Sequence, residues 1–374
     1  MVSQAEAVVS SRLLGSVCIA VLVVILCLGL WPLHVPVNDV SWLGSRNGLR
    51  LGHYSTVIGA APLAATGGAV AGSVEIWLEP ARIWTGGTLL SFSQPDPTTG
   101  LRIKQSLTDL ALERTSRGKT EKIYVDEVFR PKRPRFITVT SSASGTVIYL
   151  DGVAAKSAPR FRLSPQDLTG RLILGDAPGQ TDTWAGMLFG AAVYRAELTR
   201  EEVLSHYGNW SATGDPRPGA AEHCVALYLM NEHAGTLLHN QTRPGGELQI
   251  PPRYQVVDQI FLEPVWQEFS WSRAYWSAVF KNIVGFLPVG FVFYAYLAGV
   301  RSIRRGVLIT TLSGTLISLT IEVLQAFLPT RDSGTSDLIT NTFGTWLGVL
   351  LYLRLHRTLA AMLPWLPVFP KPRG

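Results

Sequence analysis

Four apolar stretches of bilayer length, roughly 13–33, 278–300, 307–328 and 338–355, lie at the two ends of this chain. More than 200 residues separate the first from the second with no comparable run. A spanning helix needs about 20 predominantly apolar residues, so each stretch is predicted to cross a membrane and the long interval is predicted to fold in water. With 16% charged residues and a mean hydropathy of +0.20 over 374 residues, the chain is too apolar for a wholly soluble protein of this size.

Lys and Arg near span ends are retained on the cytoplasmic side. Arg301, Arg304 and Arg305 join the second and third stretches, Arg354, His356 and Arg357 follow the fourth, and Arg12 precedes the first. Both termini are therefore expected in the cytoplasm and the long interval outside it, in a multi-pass membrane protein. The first stretch is read as an uncleaved anchor, because its apolar run exceeds a signal-peptide core and WPLHVP lacks a small-x-small cleavage site. Cys18 and Cys27 lie within it and Cys224 is alone in the aqueous part, which leaves no disulfide inside that domain. The +6 net charge comes mainly from the flanks and from Arg130, Lys132, Arg133 and Arg135, and no nucleic-acid partner is expected.

Within the aqueous part the period is two. GSVEIWLEP (72–80), TLLSFS (88–93), RFITVTSS (135–142), GTVIYLDG (145–152), GRLILGD (170–176) and FGAAVYR (189–195) are short, rich in β-branched and aromatic residues, and separated by turn formers. This spacing predicts a two-sheet sandwich burying Ile76, Leu78, Ile148, Leu150, Leu172 and Leu174, with a tight hairpin at Asp151-Gly152 and one short helix over 199–208. Glu75 and Glu79 point outward with Trp77 by alternation and are expected in solvent. Asp176, Asp182 and Trp184, in the loop DAPGQTDTW, with Tyr194 and Trp210, are either contacts for a glycan or a calcium ion or else core aromatics and turn-forming acids.

These segments, ending in WAGMLFGAAVYRAELTREEVLSHY, resemble the concanavalin A-like, laminin-G-type jelly-roll sandwich over roughly 50–210, and ALYLMNEHAGTLLHN (226–240) resembles that family's opening strand. The resemblance implies a sandwich over 37–253 that binds a glycan or a protein partner. The E-x-D-x-x-E carboxylate pattern of glucan-hydrolysing relatives does not occur here. After it, DQIFLEPVWQEFSWSRAYW (258–276) interleaves aromatic rings with charges just ahead of a span, the pattern of an interfacial belt, and 254–277 is assigned to it.

Ionisable and amide side chains at membrane depth are costly and ask for a reason. Asn282, Glu322, Gln325, Asp337 and Asn341 all fall near the extracytoplasmic ends of their stretches. Ser318, Glu322 and Gln325 recur at i, i+4 and i+7, and Asp337, Asn341, Gly344 and Gly348 at i, i+4, i+7 and i+11, so the two stripes are expected to pack face to face, with Gly314 and Ser318 opposite the Gly-x-x-x-Gly surface. Arg331 is the expected counter-charge in a Glu322–Arg331–Asp337 network, and Pro288 is expected to bend the second span.

NIVGFLPVGF (282–291), SLTIEVLQAFLPTR (318–331) and DLITNTFGTWLG (337–348) resemble the VanZ-like family of bacterial membrane proteins. Its namesake is associated with low-level resistance to the glycopeptide teicoplanin, so the resemblance implies an envelope role without a defined reaction. The fold expected is multi-domain: an anchor over 1–36, an all-β two-sheet jelly-roll ectodomain, the aromatic segment, a three-helix membrane domain over 278–358 and a cytoplasmic tail over 359–374, with about four transmembrane helices in an α-helical bundle. Asn282, Glu322, Gln325, Arg331, Asp337 and Asn341 are the candidate site for a lipid headgroup or lipid-linked envelope precursor. The alternatives are a purely structural polar network, or an enzyme in which Glu322 or Asp337 is the base and Arg331 holds an anionic headgroup. No cofactor is expected beyond the candidate calcium, and oligomeric state is not readable.

Overall fold

The computed structural model describes residues 4–63, 71–96, 99–116, 118–179, 181–242, 244–300 and 305–362. Arg301, Arg304 and residues 363–374 of the tail lie outside the described residues. The chain divides into two compact units, Val35–Gln259 and a second made of Met1–His34 with Ile260–Gly374.

Among the described residues the first unit has sixteen strands: β1 (Val40–Trp42), β2 (Leu49–Leu51), β3 (Val57–Gly59), β4 (Gly72–Pro80), β5 (Gly87–Ser93), β6 (Gly100–Ser106), β7 (Asp109–Ser116), β8 (Lys119–Val125), β9 (Arg135–Ser142), β10 (Gly145–Leu150), β11 (Val153–Ala158), β12 (Arg171–Leu174), β13 (Gly186–Tyr194), β14 (Cys224–Tyr228), β15 (Leu237–Leu238) and β16 (Leu248–Gln249). They form two antiparallel sheets, β1-β2-β13-β4-β9-β10-β11 with β14 also on β13, and β15-β16-β3-β12-β5-β6-β7-β8. Ile76, Leu78, Ile148, Leu172 and Leu174 are buried in one core between them, and Leu150 packs at its edge. Asp151 and Gly152 both take positive φ (52° and 81°), as a tight β10–β11 turn requires. Arg135, from the basic patch, donates to Asp151 and to the Val128 carbonyl and so belongs to that hairpin.

Strands β6, β7 and β8 were not among the predicted ones. Their outward positions carry Arg102, Lys104, Glu113 and Lys122, which mask the alternation of buried Leu101, Ile103, Leu110, Leu112, Ile123 and Val125. A sheet with one wet face alternates in this way.

The helix α1 (Gln4–Leu30) belongs to the second unit, and α2 (Arg200–Thr213) to the first. Thr199 caps α2: its hydroxyl accepts from Glu202 N–H at 3.3 Å while the Glu202 carboxylate accepts from Thr199 N–H at 2.7 Å. The helix runs past its predicted end because Val203, His206 and Trp210 form a buried stripe that continues to Gly214, whose φ of 73° closes it. This stripe covers the outer face of the first sheet, packing on Phe136, Tyr149, Tyr194 and Leu227. Glu75 therefore does not face solvent as expected; it is 0% exposed. Alternation assigns it to the outer face, but cannot say that a helix lies over that face. Glu79 remains at the margin, 3.7 Å from Arg46.

The second unit adds α3 (Val265–Glu268), α4 (Arg273–Val300), α5 (Gly306–Gln325) and α6 (Thr335–Met362). Among the described residues three helices are long and apolar enough to cross a membrane, over Arg12–Leu30, Tyr275–Gly299 and Gly306–Gln325. Thr340, Asn341, Thr342, Gly344, Thr345 and Gly348 lower the hydropathy of α6. They do so because α6 faces two helices at once. A Cβ on Gly344 or Gly348 would collide with the Ile283 or Leu287 carbonyl of α4, and one on Gly290 with the Thr345 carbonyl. Gly314 of α5 meets the Thr345 side chain, and Asn341 Nδ2 donates to Ser318 Oγ at 2.9 Å. The Gly-x-x-x-Gly surface thus packs on α4, while the neighbouring Asn341–Thr345 stripe packs on α5. The predicted single face is two adjacent faces, since positions i+4 and i+7 diverge by more than half a helix quadrant at 3.6 residues per turn.

Gly290→Ala forces α4 from α6 and is expected to destabilise the detergent-solubilised chain by about 1–3 kcal/mol. Gly285, with open space around it, is the control: thermal melts of Gly285→Ala should stay at the wild-type midpoint.

Candidate functional site: helix ends within the helical unit

The first N–H groups of a helix and its last carbonyls have no partner inside the helix. In apolar surroundings water is not there to satisfy them. The polar residues of the helical unit gather at two such ends.

The first is the start of α6. Glu322, 1% exposed on α5, accepts the Gly334 N–H at 2.9 Å and also bonds the Ser333 hydroxyl. Glu268, closing α3, accepts the Ser336 N–H at 2.8 Å. Asp337 lies in the first turn of α6, where a negative charge complements the helix dipole, and accepts from Asn282 Nδ2 at 2.7 Å. The loop is held from the other side by Glu263, whose N–H donates to Ser333 O and whose carbonyl accepts from both the N–H and the hydroxyl of Thr335. Gly334 leaves room for the Glu268 carboxylate, which a Cβ there would displace.

The second end belongs to α1. Gln325 Nε2 donates to the Gly29 carbonyl at 2.8 Å, and Arg331 Nη2 donates to the Leu28 carbonyl at 3.4 Å. Both carbonyls are among the last four of α1, and a guanidinium beside them suits the negative end of the helix dipole. Asn341 stands apart from both ends, on Ser318.

The six candidate residues thus fall on two helix ends and one interhelical contact. The expected Glu322–Arg331–Asp337 network overlooked the backbone groups that receive them: Glu322 draws its donors from Gly334 and Ser333, and Arg331 reaches α1. Glu268, Ser333, Gly334 and Ser336 were not foreseen. Ser333-Gly334-Thr335 followed by Asp337 is a helix-start signal that was open to reading, whereas Glu268 carries no local signal.

In the sandwich, Trp184 is 2% exposed with its indole N–H on Gln105 Oε1 at 2.6 Å, and Tyr194 and Trp210 are fully buried. Trp184 is a core residue and offers no face to a sugar. Asp176 is buried and accepts from the N–H groups of Ala177 and Asp182 and from the Tyr254 hydroxyl, at 2.8–2.9 Å; burial pushes its pKa up to about 7. Asp182 pairs with Lys104 at 2.7 Å and accepts from Thr88 Oγ1 at 2.6 Å. Both oxygens of Asp176 are thus engaged, and Lys104 and Thr88 share one oxygen of Asp182; among the described residues no group of three or more His, Cys, Asp or Glu is placed to hold a metal. The covered Glu75 is the centre of a separate buried network. It accepts from Tyr194 Oη at 2.8 Å and Thr138 Oγ1 at 3.2 Å and meets His206 Nδ1 at 3.1 Å, while His206 Nε2 lies 3.0 Å from Glu222. Burial lowers the His206 pKa, but the hydrogen bond and charge of Glu75, with Glu222 and Glu202, outweigh it and hold the group above its ordinary value.

Residues 224–357 match the VanZ/LLP1 family model. The VanZ-like match thus includes every candidate residue of the helical unit. Residues 53–204 match the model described as the concanavalin A-like lectin/glucanases superfamily. No curated protein matches the chain. Among solved structures, the Ruminococcus gnavus IT-sialidase CBM40 bound to α2,3 sialyllactose is 11% identical with a TM-score of 0.32, over 42% of this chain and 95% of that one. The receptor-binding domain of botulinum neurotoxin C/D mosaic serotype is 14% identical with a TM-score of 0.34, over 47% of this chain. The match spans 46% of that neurotoxin chain.

Glu322→Gln keeps an oxygen for the Gly334 N–H and is expected to melt near wild type. Glu322→Leu orphans that buried donor and should lower stability by about 1–3 kcal/mol, read as loss of folded protein in thermal melts in detergent. In the sandwich, His206 and Asp176 both hold their protons more tightly folded than unfolded. Asp176 therefore stabilises fully below about pH 4 and loses that contribution by about pH 7, while His206 stabilises fully below about pH 6.5 and loses it as pH rises through its raised value. The melting temperature of the sandwich, followed by near-ultraviolet circular dichroism, should fall as pH rises across this window, and His206→Gln should flatten the upper part.

Proposed function

We propose that the protein is a membrane-anchored bacterial envelope protein whose sandwich binds glycan on the extracytoplasmic side, while the VanZ-like helices anchor it and their polar residues brace helix ends. One observation carries this reading: a sandwich matching the lectin/glucanase model shares a chain with three helices apolar enough to cross a membrane. The exposed Trp266, Trp271 and Trp276 support an interfacial belt ahead of α4. The basic flanks at Arg12, Arg305 and Arg354 support cytoplasmic termini, and α6 serves as a fourth span whose polar positions are covered by α4 and α5. The seclusion of Glu322 and its bond to the Gly334 N–H favour bracing over acid–base chemistry. A link to glycopeptide response extends no further than this envelope role.

A second reading, binding of a lipid headgroup or lipid-linked precursor at the polar cluster, is favoured by one observation. The amide oxygens of Gln325 and Asn341 are buried and have no donor among the described residues, so a headgroup hydroxyl or ammonium would satisfy them. Full-length protein in lipid nanodiscs, applied to an array of bacterial surface glycans, is expected to retain at least one glycan class; uniformly blank arrays defeat the glycan reading. Native mass spectrometry of the same preparation distinguishes the second reading, which requires a co-purifying lipid that disappears in Gln325→Leu.

A further inference from the structure

We infer that the glycan site of the sandwich is a groove on the outer face of β6, β7 and β8, built to take a neutral oligosaccharide. This inference rests on the glycan reading above and names its site. The groove holds about 440 Å³ and is lined by outward-facing Lys104, Glu113, Lys122 and Tyr124, by Asp182 from the neighbouring loop, and by the bare backbone of Gly86 and Gly87. That volume falls within the range of small-molecule sites.

The charges in the groove are paired one to one. Lys104 Nζ lies 2.7 Å from Asp182, and Lys122 Nζ lies 2.6 Å from Glu113. An ammonium only donates hydrogen bonds and a carboxylate only accepts them, so each pair presents both functions side by side. A sugar hydroxyl, which donates and accepts at once, is the complement of such a pair, and adjacent hydroxyls can engage both members. The charges of the lining residues therefore sum to zero; Arg102, opposite Glu113 on the same face, does not line the groove and donates to the Pro178 carbonyl.

The fold does not account for the exposed ring that lines it, or for a second one nearby in the sequence. Tyr124 is 45% exposed at an outward position of β8, and Trp84 is 69% exposed two residues before Gly86. Neither belongs to the sandwich core. Tyr124, which lines the polar floor, supplies the apolar half of a sugar site, where the C–H face of a pyranose covers ring surface otherwise left to water, and Trp84 is a second exposed ring in the turn that leads into Gly86. Gly86 and Gly87 are glycine for packing reasons, since a Cβ would collide with the Gln105 or Thr183 carbonyl, and the lack of side chains leaves the floor open. The residues that do the binding are therefore Trp84, Tyr124 and the two ion pairs, and not the buried Trp184.

The test is calorimetric titration of the full-length chain in detergent with three neutral probes (chitotriose, cellotriose and maltotriose) and one acidic probe (3′-sialyllactose). Each is run at low salt and at about 0.5 M salt, where exposed charge attraction is screened. A neutral probe is expected to bind, with affinity nearly unchanged by salt, and Trp84→Ala, Tyr124→Ala and Lys104→Gln are each expected to weaken it by about tenfold, equivalent to about 1.4 kcal/mol. Melting of the three variants reports folding, and because all three positions are at the surface any one that folds suffices. Neutral binding that is unchanged in every folded variant overturns the groove and leaves the glycan reading standing. Binding of the acidic probe alone, lost in high salt, overturns the neutral class. Failure of all four probes, in a chain that also fails on the glycan array, removes the reading and the groove together.

Discussion

A helix that ends in apolar surroundings leaves backbone groups with no water to satisfy them, and the helical unit is organised around this constraint. Each orphaned N–H or carbonyl costs free energy on the order of a few kcal/mol. At the start of α6, carboxylates from α5 and α3 supply the acceptors and Asp337 supplies charge of the right sign. At the end of α1, Gln325 and Arg331 supply donors. These side chains come from distant parts of the sequence, so their bonds also tie α1, α3, α5 and α6 together at one end of the unit. The glycines then follow: α4 and α6 approach closely enough to need Gly290, Gly344 and Gly348, and the close approach is held in register by Asn282 on Asp337.

How far the sequence was legible depended on which side of each residue the information lay. The strands at 72–80 and 135–142 were read to the residue because both faces of each are buried and their β-branched runs are dense. Strands β6 to β8 escaped because their outer faces are charged, although the inner alternation is equally strict. That Glu322 and Gln325 lie in the last turn of α5 and Asp337 in the first turn of α6 followed from counting along helices. Their partners did not, because a backbone N–H has no letter in a sequence: Gly334, Ser336, Leu28 and Gly29 act through main-chain atoms that any residue carries. The helix over Glu75 was missed for a related reason. Period two tells which face of a sheet a side chain takes, while whether that face is wet is decided by an element more than a hundred residues away.

The aromatics of the sandwich make the same distinction. Trp184 lies in a loop rich in Asp and Gly, where sequence left it as either a ligand contact or a core aromatic, and its indole N–H is paired with Gln105 inside the core. Trp84, in an unremarked turn between β4 and β5, is the one left in solvent. Large aromatic side chains contribute most to stability when buried and most to recognition when exposed, and composition cannot separate the two.

Burial also separates bracing from binding. Glu322 is enclosed, and its donors include a main-chain N–H fixed in place by the loop that Glu263 holds. A ligand competing for that carboxylate would have to leave the N–H unsatisfied, a penalty of about 1–3 kcal/mol before any new bond is counted. The pairs in the β6–β8 groove face no such penalty. Lys104–Asp182 and Lys122–Glu113 are partly exposed ion pairs that water already reaches, and sugar hydroxyls can replace that water without breaking either pair. Hydrogen bonding then confers selectivity there, and the favourable free energy must come from covering Trp84 and Tyr124. That is why the rings, more than the charges, decide whether the groove is a site.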